Sequence, residues 1–479
     1  MPLQKTSLWQ KISLPEYPAL EKDLRTEAVV IGGGMAGLLT ALRLRKSGIK
    51  TVVLEASRIA SGQTGRTTAK ITSQHGIKYT TLVKNLGREK AGQYAAANEF
   101  AINEYASLIN EKNIGCDFRR LPAYLYSRVS PDPLEEEAET AAKLGIGSRF
   151  VKATGLPFHT SGAVRFDNQA QFHPVKFISG ILDGLEIYEN TRVLEADGSR
   201  LSTSGGTVTA DHIVVATHFP FINVPGWYFM RMHQERSYVV ALESSWLPDG
   251  IYYSDDADGL SFREANGLLL AGGGNHRTGE NSTGKRWDEI IQKCGELLPP
   301  HTEVMRWSAQ DCMTLDGVPY IGRFAPSAEN YYVATGFEKW GMASSMISAA
   351  IISGMISDRK PSWAEVFSPE RFDLSASAAA LATETAQSVK GLVRGMLAVP
   401  KEHLEKIAPG RGGIVEYGGE KAGVYRSPDG EYHVVSARCP HLGCQLEWNP
   451  DEKSWDCPCH GSRFDFEGNL LDNPAQEGL

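Results

Sequence analysis

The sequence predicts an α/β domain over most of the chain, followed by a small all-β domain. The first is indicated by a strand, a glycine-rich turn, a helix and a second strand within residues 28–55. The second is indicated by a change after Arg359, where an Ala/Ser/Thr-rich stretch leads, from about Val399, into short strands separated by Gly, Asn, Asp and Pro. We therefore expect a first domain over residues 1–365, a connector over 366–398 and a second domain over 399–479.

Length, charge and hydropathy exclude several classes of protein. The 479 residues suffice for two to four domains, and 42% hydrophobic with 22% charged residues is typical of a folded globular protein. The 49 Lys and Arg against 57 Asp and Glu give a net charge of −8, which argues against a nucleic-acid partner. We see no secretory signal pattern, and the longest apolar stretch, Met346–Ile356, is shorter than the ~18 residues that span a bilayer. We expect a cytoplasmic protein without a transmembrane segment.

The N-terminal pattern predicts a dinucleotide-binding turn. Two apolar strands, AVVI and TVVLE, flank the turn GGGMAG and a helical stretch. Gly32, Gly34 and Gly37 form GxGxxG, in which the first glycine makes the tight turn, the second lets a pyrophosphate approach and the third lets helix and strand pack closely. The helix N-terminus then faces the phosphates, and Glu55 at the end of the second strand can accept hydrogen bonds from ribose hydroxyls.

With segments further along, this unit resembles the D-amino-acid oxidase/glycine oxidase superfamily of FAD-dependent oxidoreductases, over about residues 25–360. The segments are RIASGQTGRTTAK after Glu55, IVVAT at 213–217, TLDGVPYIGR at 314–323 and ATGFEKWGM at 334–342. We expect a buried helix to begin near Trp340, at the end of the last segment. The resemblance implies FAD as cofactor and a Rossmann-like α/β (α+β) FAD-binding domain with an interleaved substrate domain. It implies cofactor contacts from Gly32, Gly34, Met35, Ala36, Gly37, Glu55, Ala56, Ser61, Gly62, Thr67, Thr68, Val193, Gly336, Trp340, Gly341 and Met342.

The same resemblance implies hydride transfer from a carbon–nitrogen bond to flavin, so we expect a small amine or amino acid as substrate. Such a site needs a polar group that holds the substrate and few acid–base groups. The sequence leaves the catalytic residues undetermined, because an ordinary structural role suits each candidate equally well. The candidates are Lys70, His75, His233 and Tyr238, with Gln74, Arg231, Arg236 and Arg323 as further polar groups, any arginine of which would suit a substrate carboxylate.

One cysteine of the first domain is a candidate for covalent attachment of flavin. Cys312 lies in a region where some sarcosine-oxidase relatives attach flavin covalently to a cysteine. Its spacing fits that pattern poorly, which favours a buried thiol.

The C-terminal domain carries two Cys/His loops, CPHLGC at 439–444 and CPCHGS at 457–462. Two thiolates and two imidazoles from paired loops suit a [2Fe–2S] centre, while zinc is the competing interpretation. The loops resemble those of the Rieske family, and more specifically the cytochrome bc-type branch. The resemblance implies that Cys439 and Cys457 hold one iron, that His441 and His460 hold the other, and that Cys444 and Cys459 form a disulfide.

Two positions beside the second loop bear on the reduction potential of that centre. Ser462 falls where the family places a hydroxyl that donates to a cluster sulfur, whereas Phe464 replaces the tyrosine of high-potential members. We expect a potential below that of respiratory Rieske proteins and above that of all-cysteine ferredoxins.

These observations favour an enzyme that passes electrons from an amine or amino acid to FAD, then singly to a Rieske cluster and on to an external one-electron acceptor. An alternative is an electron-transfer or redox-sensing protein without an organic substrate of its own. A Rieske oxygenase is disfavoured because we find no two-His, one-carboxylate iron motif. A quinol-oxidising respiratory subunit is disfavoured because the sequence offers no membrane anchor.

Overall fold

The computed structural model describes residues 6–371 and 404–479. The strands of the first range are β1 (Leu24–Ile31), β2 (Thr51–Leu54), β3 (Lys70–Ile71), β4 (Arg119–Ser127), β5 (Ser148–Val151), β6 (Gly162–Gln171), β7 (Glu186–Tyr188), β8 (Val193–Asp197), β9 (Arg200–Thr203), β10 (Thr207–Val215), β11 (Met232–Ser244), β12 (Ile251–Ser254), β13 (Ser261–Ala265), β14 (Leu268–Arg277), β15 (His301–Thr314), β16 (Tyr320–Arg323) and β17 (Tyr331–Thr335). The helices are α1 (Met35–Lys46), α2 (Tyr79–Glu111), α3 (Asp132–Lys143), α4 (Pro174–Ser179), α5 (Arg286–Leu297) and α6 (Gly341–Ile356).

The first sheet is the predicted Rossmann-like sheet. Its strand order is β16-β17-β10-β1-β2-β7, and the strands from β17 to β7 run parallel. The apolar residues of β1 and β2 are buried on both faces, as their unbroken apolar sequence predicts. Parallel strands end at one edge of the sheet, so the glycine turn after β1 and Glu55 after β2 come together there.

The second sheet supplies the interleaved domain. Its order is β15-β11-β14-β13-β12-β4-β6-β3, with β5 paired to β6, and its pairs are antiparallel except β4 with β12. The order shows that the chain enters and leaves this sheet several times between strands of the first sheet. The resemblance predicted this interleaving, but the strand order could not be inferred from the sequence, because antiparallel strands far apart in sequence pair through tertiary contacts.

Helix α6 lies in the core between the two large sheets. Residues 342–354 of this helix are buried, and it packs against α1 and α2. The hydroxyl of Tyr105 on α2 donates to the Met342 carbonyl over 2.9 Å. The helix begins directly after Trp340, where the sequence predicted it to begin. Within the described ranges, no helix has both the length and the apolar composition needed to cross a bilayer.

The second range is all-β, as predicted. Its strands are β18 (Gly412–Tyr417), β19 (Glu420–Arg426), β20 (Tyr432–Ser436), β21 (Glu447–Asn449), β22 (Ser454–Asp456), β23 (Arg463–Asp465) and β24 (Leu470–Asp472). They form a three-stranded sheet, β18-β19-β20, and a four-stranded sheet, β21-β22-β23-β24. A small core of Tyr425, Trp448, Trp455 and Phe464 packs against the buried cysteines of the two loops.

The predicted connector begins inside the packed part of the first domain. Val366 and Phe367 are fully buried, and Arg371 forms an ion pair with Asp316 at 2.8 Å. The rest of the predicted connector, residues 372–398, lies outside the described residues.

Candidate functional site

One cavity of about 600 Å³ extends from the glycine turn between the two large sheets to the C-terminal domain. Fourteen of the sixteen predicted cofactor contacts line it: Gly32, Gly34, Met35, Ala36, Glu55, Ala56, Ser61, Gly62, Thr67, Thr68, Val193, Trp340, Gly341 and Met342. Gly37 and Gly336 lie outside its lining. The cavity therefore joins segments that are more than 300 positions apart in sequence, from Gly32 to Met342.

The glycine turn is shaped as a dinucleotide cradle. Gly32 has φ +114°, and a Cβ atom there would lie 2.4 Å from the Ala216 carbonyl oxygen. A Cβ on Gly37 would lie 1.9 Å from the Gly32 carbonyl oxygen, so its role is the close helix–strand packing that the motif predicts. Gly34 is the N-cap of α1, and it lines the cavity together with Met35 and Ala36, so the start of the helix lies at the cavity wall.

Glu55 supports this cradle as well as lining the cavity. Its carboxylate accepts hydrogen bonds from the Gly33 N–H at 2.7 Å and the Ser57 N–H at 2.8 Å. Burial raises the pKa of Glu55, although these backbone hydrogen bonds oppose the shift. The carboxylate thus holds the turn, and its place on the cavity wall suits the ribose contact that we predicted.

Sequence reasoning missed part of the cavity wall. The missed residues include Gln63, Thr64, Arg66, Thr217, His218 and Gln310. The first three lie inside the segment already singled out by resemblance, so that segment's pattern was the available signal. Gln310 carries no such signal, since only the pairing of β15 with β11 brings it to the cavity.

Lys70 is a polar candidate that lines the cavity. Its ammonium lies 4.1 Å from the centre of the Tyr253 ring, and both residues line the cavity. Within residues 6–371 and 404–479 it has no hydrogen-bond or ion-pair partner. Burial, together with the nearby Arg263, holds the pKa of Lys70 well below its usual value. An anionic ligand group beside Lys70 would supply a counter-charge and favour its protonated form.

The other acid–base candidates are engaged elsewhere. The ring of His75 stacks on Trp340, and its two nitrogens already bond the Tyr94 hydroxyl and the Thr72 carbonyl, each at 2.7 Å. His233 lies 3.6 Å from the Glu235 carboxylate and outside the cavity lining. Tyr238 lines the cavity, but its hydroxyl bonds His276, Asn281 and Asn449. These three side chains have structural partners.

None of the three candidate arginines lines the cavity, and neither does Gln74. Arg231 bonds the carbonyls of Gly226 and Pro369, Arg236 pairs with Glu452, and Arg323 is exposed. Cys312 is buried, its thiol lies 3.4 Å from the His218 carbonyl, and it also lies outside the lining. Lys70 is therefore left as the carboxylate-binding candidate.

The two Cys/His loops of the C-terminal domain place four ligand atoms together. The rings of His441 and His460 lie 4.9 Å apart, and the thiols of Cys439 and Cys457 are hydrogen-bonded to each other. The Nδ1 atoms of both histidines are buried and have no hydrogen-bond partner in the part of the chain that the structure describes. Unpaired buried nitrogens are costly unless a ligand occupies them, so the arrangement fits a metal cluster held through Nδ1.

The remaining two cysteines of the loops are joined in a disulfide. Cys444 and Cys459 form this bond across 15 residues, with Cα atoms 6.6 Å apart. Their sulfurs lie within 4.8 Å of the Cys457 sulfur, but disulfide sulfurs are not thiolate ligands. The free thiols of the loops are thus Cys439 and Cys457.

Ser462 contacts a ligand sulfur, as the sequence predicted. Hydrogen bonds from Cys457, then from the His441 backbone and the Ser462 hydroxyl, lower the pKa of Cys439 to about 7 against the effect of burial. Phe464 is fully buried and offers no hydroxyl.

Comparison with known proteins agrees with both sites. The profile of the DAO family, FAD dependent oxidoreductase, matches residues 27–355. The chain belongs to this family. The Rieske [2Fe-2S] domain profile matches residues 398–479, which excludes the zinc interpretation.

Relatives of this DAO-family chain include one with both parts. The putative Rieske 2Fe-2S iron-sulfur protein YhfW of Bacillus subtilis is 35% identical to this chain, over 97% of this chain and 95% of its own length. Gamma-glutamylputrescine oxidoreductase of Escherichia coli is 23% identical to this chain, over 71% of this chain and 85% of that protein. Among solved structures, L-proline dehydrogenase from P. horikoshii has the same fold, with TM-score 0.62 and 18% identity over 74% of this chain and 98% of that one.

In this DAO-family chain, the Rieske domain forms part of the cofactor cavity. Residues 470–473, in β24 and just after it, line the cavity. Asn473 donates from Nδ2 to the carbonyls of Thr217 at 2.9 Å and Phe219 at 2.6 Å. Gln63 donates to the Asp472 carboxylate over 2.8 Å.

The second cluster loop also touches the cavity wall. Gln310 lines the cavity, and its Nε2 donates to the Gly461 carbonyl at 2.8 Å. Gln234 donates to the His460 carbonyl at 2.7 Å. A Cβ on Gly461 would lie 2.6 Å from the Gln234 Cβ, so only glycine lets the loop approach this closely. One side chain therefore separates the cavity from the backbone beside a cluster ligand.

A buried charge network joins the two domains. Glu452 of the Rieske domain lies 2.5 Å from Arg236 of β11 and 2.8 Å from Arg463, and the side chains of both arginines are at most 2% exposed. Arg463 also pairs with Asp456 and Asp472, each at 3.0 Å. Such a network fixes orientation because each charge loses its partner if the domains separate.

Proposed function

We propose that the protein is an FAD-dependent dehydrogenase that oxidises an amine or amino acid. The electrons then pass one at a time to its own Rieske cluster and on to an external acceptor. The observation that supports this most directly is the shared cavity wall, where Gln310 bonds the loop that carries His460. When bound, FAD supplies a two-electron acceptor for hydride and the cluster a one-electron carrier.

Lys70 supports an amino acid, or another amine with a carboxylate, as the substrate. The three candidate arginines, Arg231, Arg236 and Arg323, lie outside the cavity lining, and Arg66 on the lining lies 3.9 Å from the Asp472 carboxylate. Among the described residues, the Lys70 ammonium on the cavity wall has no such counter-charge. A bound carboxylate would supply that charge and restore the ordinary pKa of the ammonium. The names of similar proteins, proline dehydrogenase and gamma-glutamylputrescine oxidoreductase, are consistent with carbon–nitrogen donors.

The chemistry requires balance at the substrate. The residues that line the cavity would hold FAD, which would accept the hydride released when the carbon–hydrogen bond next to nitrogen breaks. The substrate nitrogen would then become an iminium that water hydrolyses. The amine must be neutral beforehand, so its proton leaves to solvent or to a neighbouring base. Lys70 holds the carboxylate in this scheme, and so positions the carbon.

The test is anaerobic mixing of the cofactor-loaded protein with a panel of amines and amino acids. Flavin bleaching followed by the reduced-Rieske EPR signal is expected from an amino acid. Lys70→Met should raise KM for that substrate at least tenfold, while the exposed control Lys50→Met should leave it unchanged. If dithionite reduces both centres but no amine or amino acid does, the redox-sensing alternative replaces this proposal.

A further inference from the structure

Four exposed apolar side chains lie on the two segments that meet at His441. Val224 is 58% exposed, Trp227 47% and Met230 38%, all in the flavin-side segment before β11, while Leu442 in the first cluster loop is 44% exposed. We call these four residues the collar. Exposed apolar groups that lie together mark an interaction surface, whereas single ones are ordinary.

The collar lies directly over the ligand His441. Asn223, which precedes Val224, bonds the His441 Nε2 over 3.0 Å, and Leu442 follows His441 in the chain. Trp227 packs on Phe229 with ring centres 5.8 Å apart. The Phe229 ring in turn lies 6.4 Å from that of His441. Contact with the collar therefore brings a partner within about one side chain of the cluster.

His441 is also the ligand that remains accessible. Cys439 and Cys457 are each 1% exposed and His460 is 5% exposed, whereas His441 is partly exposed. His460 faces the flavin side, where Gln234 holds its carbonyl. The Phe229 ring also lies 5.6 Å from that of His460. Both histidines are therefore within reach of the collar, and His460 also lies toward the cavity.

The chemistry of the collar selects the kind of partner. The segments 217–230 and 439–446 contain no Asp, Glu, Lys or Arg, so the collar itself is uncharged, although Arg231 and the exposed Arg438 flank the two segments. The collar side chains do not line the cavity described above, and they are exposed at the surface. A small organic acceptor needs a concave site, whereas exposed Trp, Met and Leu suit the apolar contact face of another protein.

We propose that the collar docks a one-electron acceptor protein whose own redox centre lies under an uncharged, apolar face. One electron leaves the reduced cluster, whose iron is oxidised by one unit, and reduces the acceptor by one unit. This rests on the proposed function only in making the cluster the exit for electrons. Four side chains suit the small interface of a transient redox encounter.

The experiment reduces the loaded protein chemically, so that no organic substrate is needed. Oxidised azurin, a copper protein with an apolar face over its metal, is the probe, and ferricyanide is the small acceptor that needs no docking. The test variant is Val224→Asn with Leu442→Asn. Its matched control is Val434→Asn with Leu247→Asn, at positions 45% and 40% exposed elsewhere on the chain. All four changes are neutral, so the charge near the cluster is unaltered.

In stopped-flow measurements, the collar variant should lower the second-order rate constant for electron transfer to azurin by about tenfold or more. The rate constant for electron transfer to ferricyanide should change by less than about twofold. It should also abolish the line broadening that the wild-type protein causes in amide spectra of labelled azurin. The rate with azurin should be nearly independent of salt, because the collar is uncharged.

Several results would overturn the proposal. The proposal fails if the collar variant leaves the rate of electron transfer to azurin, or the binding of azurin, unchanged. It also fails if the control pair loses as much of that rate as the collar variant, or if the wild-type protein does not react with azurin. A wild-type dimer that dissociates in the collar variant would assign the surface to a second copy of this chain. Sedimentation with neutral lipid vesicles, lost in the variant, would assign it to a membrane. Absence of any amine activity would overturn the proposed function and leave this result standing.

Discussion

Removing the Glu452 carboxylate tests whether the two domains are fixed to each other by charge. In the described part of the chain, Glu452 is the only carboxylate that pairs with Arg236, whose side chain is 0% exposed. Burial alone would raise the pKa of Glu452, but the guanidiniums of Arg236 and Arg463 hold it well below its usual range. Glu452→Gln keeps the shape and removes the charge.

The cost follows from the uncompensated guanidinium. After the change Arg236 keeps only neutral partners, Ser308 and Gln310, while Arg463 keeps Asp456 and Asp472. Removing one partner of a buried ion pair costs about 3–5 kcal/mol, because the other charge stays buried. The free energy of opening the interface should fall by this amount, which accelerates amide exchange by a factor of about 100 or more.

Hydrogen exchange followed by mass spectrometry measures this locally, in peptides covering β11 and β21. The exposed Glu420→Gln, in the same domain, is the control and should leave exchange unchanged. An acceleration below about tenfold in Glu452→Gln would refute the reasoning, since it would mean that water reaches Arg236 without opening the interface.

Three further predictions follow from single sites. Ser462→Ala removes the hydroxyl at the Cys439 sulfur and should lower the reduction potential of the cluster by roughly 40–90 mV in a redox titration. The control Ser436→Ala, at an exposed position, should leave the potential unchanged. An unchanged potential in Ser462→Ala would contradict this prediction. Replacing both Cys444 and Cys459 by Ser opens a loop of 15 residues and should reduce the free energy of unfolding of the Rieske domain by about 3 kcal/mol. Urea unfolding followed by the absorbance of the cluster measures this change, and an unshifted unfolding midpoint would count against the prediction. Burial lowers the pKa of His173 to about 4, so the unfolded chain binds its proton first, and stability should fall as pH drops from about 6.5 to about 4. His173→Asn should remove up to about 3 kcal/mol of that loss in pH-dependent denaturation, and an equally steep loss in the variant would exclude His173 as its source.

The sequence by itself predicted the cofactor turn and the residues proposed as cluster ligands. Gly32, Gly34 and Gly37 lie within one turn and one helix start, and the Cys/His loops carry their ligands at short spacing. Such features are local, because the physical requirement, a tight turn or a set of nearby donors, is met by residues close in sequence. The helix that begins after Trp340 was predictable for the same reason.

Only the tertiary structure decided which polar groups face the cavity and how the two domains meet. Lys70 and Arg236 were equal candidates in the sequence, yet one faces the cavity and the other pairs with Glu452, 216 positions away. Gln310 joins the cavity wall to Gly461, across 151 positions. These contacts depend on sheet pairing and on the docking of one folded domain on another. No short-range pattern of spacing or hydropathy encodes them, because the partners become neighbours only after both domains have folded.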